Sequence, residues 1–258
     1  MPSVDLAHDG PLAVITLDAP PLNLFDEDLI EGLRAAVASV AASPDARGLL
    51  IRANGRAVSG GVDVHLFEPL TPESGAALWR SLFELIHQLE SLPVPTVFAA
   101  HALCLTAAFE VSLACDLLLA AESAKFGLVE IVVGLTPSMG GPQRLAERAG
   151  PARARELVYT GELYDAATLE RWNVVNRVLP DDGFAEAARE FALRLANGPT
   201  RAHAATKAIV ATQVAAGTRA ADAVTPQLSG ALFGTDDLRN AVASFLRDGP
   251  GKATYTGH

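Results

Sequence analysis

Two glutamates stand inside apolar stretches of this chain, where an acid is best suited to proton transfer. Glu110 lies in the segment 107–113 and Glu130 in the segment 126–133, and almost every other residue of both segments is apolar. An ionised carboxylate in apolar surroundings is costly unless it is paired, so such a group takes up a proton or has a function that offsets the desolvation. The two glutamates are therefore a candidate acid and base.

The composition predicts a folded, acidic protein. The 258 residues suffice for one large domain, or for a core domain with a smaller appendage, and a hydrophobic content of 50% supports a substantial core. The 20 Lys+Arg against 30 Asp+Glu give a net charge of -10, so long-range electrostatics would repel nucleic acid and an anionic membrane. Neither is expected as a partner.

The cysteines and the N-terminal segment predict the cellular compartment. Cys104 and Cys115 lie in apolar sequence and in no metal-ligand spacing, so we expect no disulfide, no metal site and a reducing, cytoplasmic location. The segment 1–10 lacks the basic-then-apolar order of a secretory signal. The apolar segment 97–121 contains one histidine and two acids, which favours a buried strand, turn, helix and strand over a membrane span.

Strands and helices are predicted to alternate over most of the chain. The apolar patterns predict strands at 12–17, 48–53, 96–100 and 116–120, a helix that Asp26 caps and Pro44 ends, and helices at 72–91 and 105–114. The segment 54–61 is predicted as a loop. The repeated order of strand, helix and strand implies parallel sheets with crossover helices.

The pattern changes after Pro180. Three helices are predicted, at 183–197, 199–216 and 235–247, with no convincing strand between them. The sequence Asn-Gly-Pro at 197–199 is the predicted boundary, because Gly and Pro stop one helix and Pro starts the next. We therefore expect an α/β core at 1–197 and a C-terminal helical region at 198–258.

Three motifs stand out along the chain: Val-Ser-Gly-Gly-Val-Asp-Val at 58–64, the segment 101–116, and Phe-Gly-Leu-Val-Glu at 126–130 followed by 134–145. In this order they resemble the crotonase family of enoyl-CoA hydratases and isomerases. The tail is also similar, since Phe-Gly-Thr-Asp-Asp at 233–237 precedes Phe245 as in the family's C-terminal helix. The resemblance covers nearly the whole chain.

This resemblance implies an α/β fold of repeated β-β-α units in a short spiral, with C-terminal helices that build trimers or dimers of trimers. It implies an acyl-CoA thioester as substrate, whose enolate is stabilised by two backbone N–H groups forming an oxyanion hole. By the match, these belong to Val62 and Ala107. Glu130 then corresponds to the proton donor to the alpha carbon and Glu110 to the glutamate that helps to hold water. No metal or redox cofactor is needed for such chemistry.

Two departures from the family pattern bear on the reaction. Hydratases typically have Gly-Gly-Gly where this chain has Thr106-Ala107-Ala108, and each added methyl group narrows the approach of the backbone to the thioester. We expect a tighter acyl pocket or a slightly displaced oxyanion hole. Hydratases commonly have Pro-Gly where this chain has Pro137-Ser138, so the Ser138 hydroxyl either helps to bind water or occupies its place.

The remaining candidates would bind substrate. They are the paired glycines Gly60 and Gly61 and, for the CoA phosphates, the basic residues Arg56 and His65 of the same chain and Arg247 or Lys252 of a neighbouring subunit. A guanidinium suits phosphate, although a loop cation is more commonly a solvated surface group. Paired glycines also make tight turns without any ligand. Walls of the pocket are expected from the helix at 72–91 and from the C-terminal helices.

Structural roles are expected of four other polar residues. Asp63 is predicted to cap or brace its loop, His101 to be a core histidine in a strand, and Asp116 to hydrogen-bond to backbone in the core. Cys104 is predicted to be a small buried apolar residue. For the two glutamates the structural alternative is a buried acid satisfied by backbone amides.

Three functions follow as hypotheses. The first is an enoyl-CoA hydratase, because addition of water across a conjugated double bond needs one group to deprotonate water and another to protonate the neighbouring carbon. The second is an enoyl-CoA isomerase, or another reaction of the family that depends chiefly on Glu130. The third is a non-catalytic acyl-CoA binding protein in which Thr106-Ala107-Ala108 disables the oxyanion hole.

Overall fold

A computed structural model describes residues 3–258, which form two sheets and the helices around them. Residues 1 and 2, the start of the segment 1–10 that lacks the pattern of a secretory signal, lie outside the described residues. The strands are β1 (Val4–Asp9), β2 (Leu12–Leu17), β3 (Gly48–Ala53), β4 (Ala57–Ser59), β5 (Thr96–Ala100), β6 (Leu103–Leu105), β7 (Leu117–Ala121), β8 (Lys125–Gly127), β9 (Tyr164–Asp165) and β10 (Arg177–Leu179). The helices are α1 (Glu27–Ala42), α2 (Pro72–Ser91), α3 (Thr106–Ala114), α4 (Gly141–Ala149), α5 (Pro151–Thr160), α6 (Ala166–Arg171), α7 (Phe184–Ala196), α8 (Thr200–Ala216), α9 (Thr218–Ala231) and α10 (Asp236–Asp248).

The larger sheet has the order β1-β2-β3-β5-β7-β10. The strands from β2 to β10 pair in parallel, which confirms the predicted parallel sheet, and β1 pairs with β2 in antiparallel orientation. Three predicted strands have the observed bounds, and the fourth, predicted at 116–120, is displaced by one residue. Strand β1 was not predicted, although Asp9-Gly10 between two short runs is a hairpin signal.

The smaller sheet has the order β4-β6-β8-β9 and consists of strands of two or three residues. The prediction of a loop over 54–61 was wrong for β4, and the helix predicted from 105 begins one residue later because Leu105 ends β6. Such strands are too short to show a period of two in sequence. They exist because each finds a partner: β4 and β8 pair in parallel with β6.

The expected β-β-α units are present and position the site. The successive units are β3-β4-α2, β5-β6-α3 and β7-β8-α4, and in each the first strand joins the larger sheet and the second the smaller one. Helix α1 begins where predicted, since the Asp26 side chain accepts a hydrogen bond from the Leu29 N–H at 2.8 Å.

Apolar residues fill both faces of the larger sheet. On one face α1, α2 and α3 close a large core, and α3 is buried along its whole length. On the other face α7 packs its Phe184 and small Ala188 and Ala192 against Leu12 and Leu50. Burial on both faces explains why these parallel strands are continuous apolar runs in the sequence.

The C-terminal segment is helical, as predicted. The predicted helices appear as α7, α8 and α10, while α9, which contains Pro226, was not predicted. Arg47 beside β3 donates to Thr200 Oγ1, to Gly198 O and to Tyr255 O at 2.9, 2.7 and 3.1 Å. The division into 1–197 and 198–258 stays a prediction. No helix within residues 3–258 is long and apolar enough to cross a membrane.

Candidate active site

Glu110 lies in the middle of the buried helix α3 and is only 2% exposed. Its Oε1 accepts hydrogen bonds from the backbone N–H of Met139 at 2.9 Å and of Gly141 at 2.8 Å. Burial raises the pKa of this carboxyl group to about 7. The backbone donors and the Arg144 charge lower the pKa and so offset part of the effect of burial. The group therefore titrates near neutral pH.

Glu130 begins the short 3-10 helix Glu130–Val133, three residues after Gly127, where β8 ends. Its Oε2 is buried, and no group within residues 3–258 donates a hydrogen bond to that atom. Burial first, and then the Glu110 charge, raises the pKa of Glu130 to about 8. An acid with this pKa keeps its proton at neutral pH and can donate it.

The carboxyl groups of Glu110 and Glu130 line one cavity. The same cavity is bordered by Val62, Ala107 and Ser138. The cavity volume is about 30 Å³, enough for water. The rest of its wall is apolar apart from Thr136: Phe25, Ile30, Leu66, Phe67, Leu78, Trp79, Leu82, Leu135 and Met139. Helix α2 supplies three of these residues, as predicted, whereas no residue of the C-terminal helices is among them.

The smaller sheet brings these residues together. Strands β4, β6 and β8 are parallel neighbours, so their carboxyl ends lie at one edge of the sheet. Val62 follows β4, Ala107 and Glu110 follow β6, and Glu130 follows β8. Ligand sites form at such edges because the chain leaves the sheet there. The three motifs of the sequence therefore converge through strands that the sequence did not reveal.

Val62 presents a backbone N–H that is free for a ligand. Its neighbours are all occupied: Gly60 N–H donates to Leu22 O, Gly61 N–H to Ser59 Oγ and Asp63 N–H to Phe25 O. Within residues 3–258, no acceptor is bound to the Val62 N–H. Ala107 is the second residue of α3, where N–H groups have no acceptor within the helix and the helix dipole favours negative charge.

Thr106 is strained at the point where a typical hydratase has glycine. Its φ of 45° is left-handed, which is rare for a β-branched residue, and its buried Oγ1 has no hydrogen-bond partner within residues 3–258. Thr106 Oγ1 lies only 2.8 Å from the position that a Cβ on Gly61 would take. The Thr106 side chain thus packs against Gly61, the residue before Val62, at the start of the helix that carries Ala107.

Ser138 lies at the cavity, but its hydroxyl is engaged. Its Oγ donates to Thr136 O at 2.8 Å. The side chain therefore bonds to its own loop, and the oxygen can offer a ligand only its lone pairs.

The predicted CoA-binding residues lie away from the carboxylates. Gly60, Gly61 and Arg56 are not among the residues that line the cavity, and Arg56 is exposed with its Nε 3.4 Å from Pro21 O. The exposed His65 lies 3.6 Å from the Glu68 carboxylate. Their contact with a nucleotide stays a prediction, as does that of the exposed Arg247 and Lys252.

The predictions of structural roles for four polar residues had different outcomes. Asp63 caps the 3-10 helix Val64–Phe67 by accepting from the His65 N–H, and Cys104 is fully buried with a raised pKa, which confirms both predictions. The prediction for His101 was wrong, since it follows β5 and its partly exposed ring contacts Gly55 O.

Asp116 accepts from the backbone N–H of Thr96 as predicted, but at an exposed position where it also pairs with Lys207 at 3.0 Å. A side chain at the end of a strand reaches solvent although the strand itself is buried.

Sequence reasoning missed the turn at 139–141 and the arginine behind it. Met139 and Gly141 hold Glu110 with backbone groups, which leave no signal in side-chain type. The sequence pattern around Arg144 is typical of a surface charge on an amphipathic helix. In the structure, however, the Arg144 side chain is only 11% exposed and pairs with Glu90. Only the pair of glycines at 140–141 pointed to a close approach of backbone.

Comparison with known proteins defines the class. A family model described as enoyl-CoA hydratase/isomerase matches residues 8–254. The chain therefore belongs to the enoyl-CoA hydratase/isomerase family, the crotonase family, as its motifs predicted.

Individual relatives agree with this assignment. The chain is 30% identical over 240 residues to the "probable enoyl-CoA hydratase echA8" of Mycobacterium bovis, with 93% of each chain covered. The structure of an enoyl-CoA hydratase subunit I from Geobacillus kaustophilus has a TM-score of 0.92 at 28% identity and covers 99% of this chain and 98% of its own. An enoyl-CoA hydratase of Bacillus anthracis, at 24% identity and a TM-score of 0.92, shares the fold over 99% of this chain and 100% of its own.

Proposed function

We propose that this protein is an enoyl-CoA hydratase, which adds water to a 2-enoyl-CoA thioester. The observation that carries the proposal is the convergence of Glu110, Glu130 and the residues Val62 and Ala107 on one cavity. The free N–H of Val62 and the helix N-terminal N–H of Ala107 would accept the thioester oxygen as negative charge develops on it.

The two carboxyl groups supply the proton transfers. With pKa values near 7 and 8, the pair holds one proton between those two pH values, and that proton resides mainly on Glu130. Glu110, ionised and fixed, takes a proton from water as the oxygen attacks the beta carbon. The electron pair of the double bond moves into the enolate, and Glu130 then gives its proton to the alpha carbon. Transfer of the proton from Glu110 to Glu130 restores the starting state.

Hydration is tested directly with purified protein. Crotonyl-CoA and longer 2-enoyl-CoA thioesters should lose the absorbance of the conjugated enoyl group, and the product should gain the mass of one water. Glu110→Gln and Glu130→Gln should both remove most of this activity, because each role needs a titrating carboxyl group. Absence of water addition for every enoyl-CoA offered would refute the proposal.

An isomerase is the second candidate. The observation that favours it is the Glu130 carboxyl oxygen that has no hydrogen-bond partner within residues 3–258. Isomerisation moves a proton between two carbons of the substrate, so one carboxyl group suffices. Glu130 has an unpartnered oxygen, whereas Glu110 is tied to two backbone donors. An isomerase should retain most of its turnover of 3-enoyl-CoA in Glu110→Gln and lose it in Glu130→Gln.

A binding protein without catalysis is the third candidate. The strained Thr106 beside Val62 and Ala107 is the observation that favours it. Calorimetry that shows tight binding of acyl-CoA, together with an absence of turnover on 2-enoyl-CoA and 3-enoyl-CoA, would establish this function in place of the first two.

The assembly and location are proposals of the same kind. We propose a cytoplasmic homotrimer or dimer of trimers that uses no metal or redox cofactor. The exposed Phe233, Phe245 and Leu246 at 75%, 59% and 79% give the C-terminal helices an apolar surface that subunit contact would bury. Sedimentation velocity should show a particle of three or six chains, and a monomer at micromolar concentration would contradict this.

A further inference from the structure

A side-chain pair outside the cavity supports the turn that holds Glu110. Arg144 Nε donates to Glu90 Oε1 at 2.7 Å and Arg144 Nη2 donates to Glu90 Oε2 at 2.6 Å, so the guanidinium binds the carboxylate with two parallel hydrogen bonds. Glu90 belongs to the last turn of α2 and Arg144 to the first turn of α4. Such bidentate pairs fix geometry better than a single contact does.

The same arginine reaches the turn itself. Arg144 Nη1 donates to Gly140 O at 3.2 Å, and Gly140 lies between the two residues whose N–H groups bind Glu110. Gly140 has a φ of 97°, and a Cβ added there would overlap the Arg144 guanidinium. The guanidinium therefore lies directly against the backbone of the turn.

We propose that Glu90 and Arg144 act as a positioning pair, which holds the turn at 139–141 and thereby fixes the carboxylate of Glu110 in the site. This inference rests on the proposed function, because the fixed carboxylate is the one that would hold water. Neither Glu90 nor Arg144 lines the cavity, so they act through Glu110 and not on the substrate.

The charges around Glu110 decide what each variant should do. Glu130 faces it across the cavity, Arg144 faces it from α4, and Glu90 lies behind Arg144 on α2. Arg148 lies one turn further along α4 and donates to backbone at the C-terminal end of α3. The Arg144 charge lowers the pKa of Glu110, so its loss should raise that pKa, while loss of Glu90 leaves the Arg144 charge unopposed and should lower it.

The experiment follows the Glu110 carboxyl group directly. Protein labelled with carboxyl-¹³C glutamate is titrated by NMR without substrate, and the Glu110 resonance is assigned by its absence in Glu110→Gln. Arg144→Gln should shift its titration to higher pH, Glu90→Gln to lower pH, and Arg144→Lys should leave it close to that of the parent. Arg148→Gln is the matched control, since it removes a buried guanidinium of the same helix without touching the turn.

Kinetics then separate positioning from charge. Arg144→Lys keeps the charge but cannot form the bidentate pair, so kcat for hydration should fall by about 10- to 100-fold with KM nearly unchanged. If the parent has no hydratase activity, the proposed function fails, while the titration still decides whether the Glu90–Arg144 pair acts on Glu110. An unchanged Glu110 titration in folded Arg144→Gln overturns the inference. If that variant does not fold, an unchanged titration in Glu90→Gln overturns it instead.

Discussion

Glu110 and Glu130 line the same cavity but are held by two regions of different construction. Glu110 rises from a fully buried helix, and two backbone N–H groups fix its Oε1. Glu130 begins a single 3-10 turn whose next residues, Ile131, Val132 and Val133, are exposed, and its buried Oε2 has no donor within residues 3–258.

The difference explains why the deeper acid is the stronger one. Glu110 loses more hydration, yet its pKa rises only to about 7, because hydrogen bonds and Arg144 stabilise its anion. Glu130 has only its own backbone N–H as a donor and faces the charge of Glu110, so its pKa rises to about 8. Hydrogen-bond donors, and not depth alone, thus determine which of the two groups has the lower pKa.

The largest expected effect comes from removing the acid. Glu130→Gln should lower kcat/KM for hydration by about 10³-fold, because the amide cannot supply the proton. Glu110→Gln should lower it by about 10²-fold, since its amide oxygen still accepts from Met139 and Gly141 and can still hold water. Stopped-flow or steady-state absorbance measures both. Equal losses would show that the two regions do not differ in function.

The next largest effect is expected from a substitution that crowds the Glu110 carboxylate. A Cβ at position 141 would lie 3.0 Å from Glu110 Oε1 and 2.9 Å from Leu128 Cδ1, so Gly141→Ala should displace the carboxylate and lower kcat/KM by about 10- to 100-fold. Gly75→Ala is the control, because nothing lies within 4 Å of its Cβ and alanine favours α2. It should add up to about 1 kcal/mol of stability and leave kcat/KM unchanged. A fall in both variants would point to a general effect of alanine.

The raised pKa values also predict how stability depends on pH. The folded protein binds protons on these two groups more tightly than the unfolded chain, so their contribution is full below pH 4.5 and is lost as pH rises through 7 to 8. The free energy of unfolding in urea should fall by a few kcal/mol between pH 5 and pH 8.5. In the variant with both Glu110→Gln and Glu130→Gln this fall should shrink. An identical fall in parent and variant would contradict the raised values.

The smallest effect concerns the hydroxyl between the two regions. Because Ser138 Oγ donates to Thr136 O, Ser138→Ala should change kcat/KM by less than about 3-fold and cost about 1 kcal/mol of stability. A loss of about 10-fold or more, with the fold intact by circular dichroism, would instead assign the hydroxyl to the binding of water.

Much of the fold was predictable because its main strands are buried on both faces. The runs of β2, β3 and β5 have no polar alternation to confuse their bounds, and the Asp26 cap marked the start of α1. Strands β4 and β8 were not predictable, since three residues carry no period and their existence depends on pairing with β6.

The candidate site was predictable only in its acids. A glutamate among apolar residues is anomalous in any sequence, and the structure brings Glu110 and Glu130 to one cavity. The roles of Glu90 and Arg144 were not predicted, because a charged residue on one face of a helix is common. Their contact also joins residues 54 positions apart, which no local pattern indicates.

The sequence by itself determined the family, the alternation of strands and helices, and the two acids that chemistry would use, because these follow from residue type and local spacing. Only the tertiary structure decided that Val62 N–H stays free, that the turn at 139–141 fixes Glu110 and that Glu130 keeps its proton more firmly. These properties depend on which backbone groups and charges meet across the smaller sheet and the packed helices, and contacts between distant segments leave no local pattern.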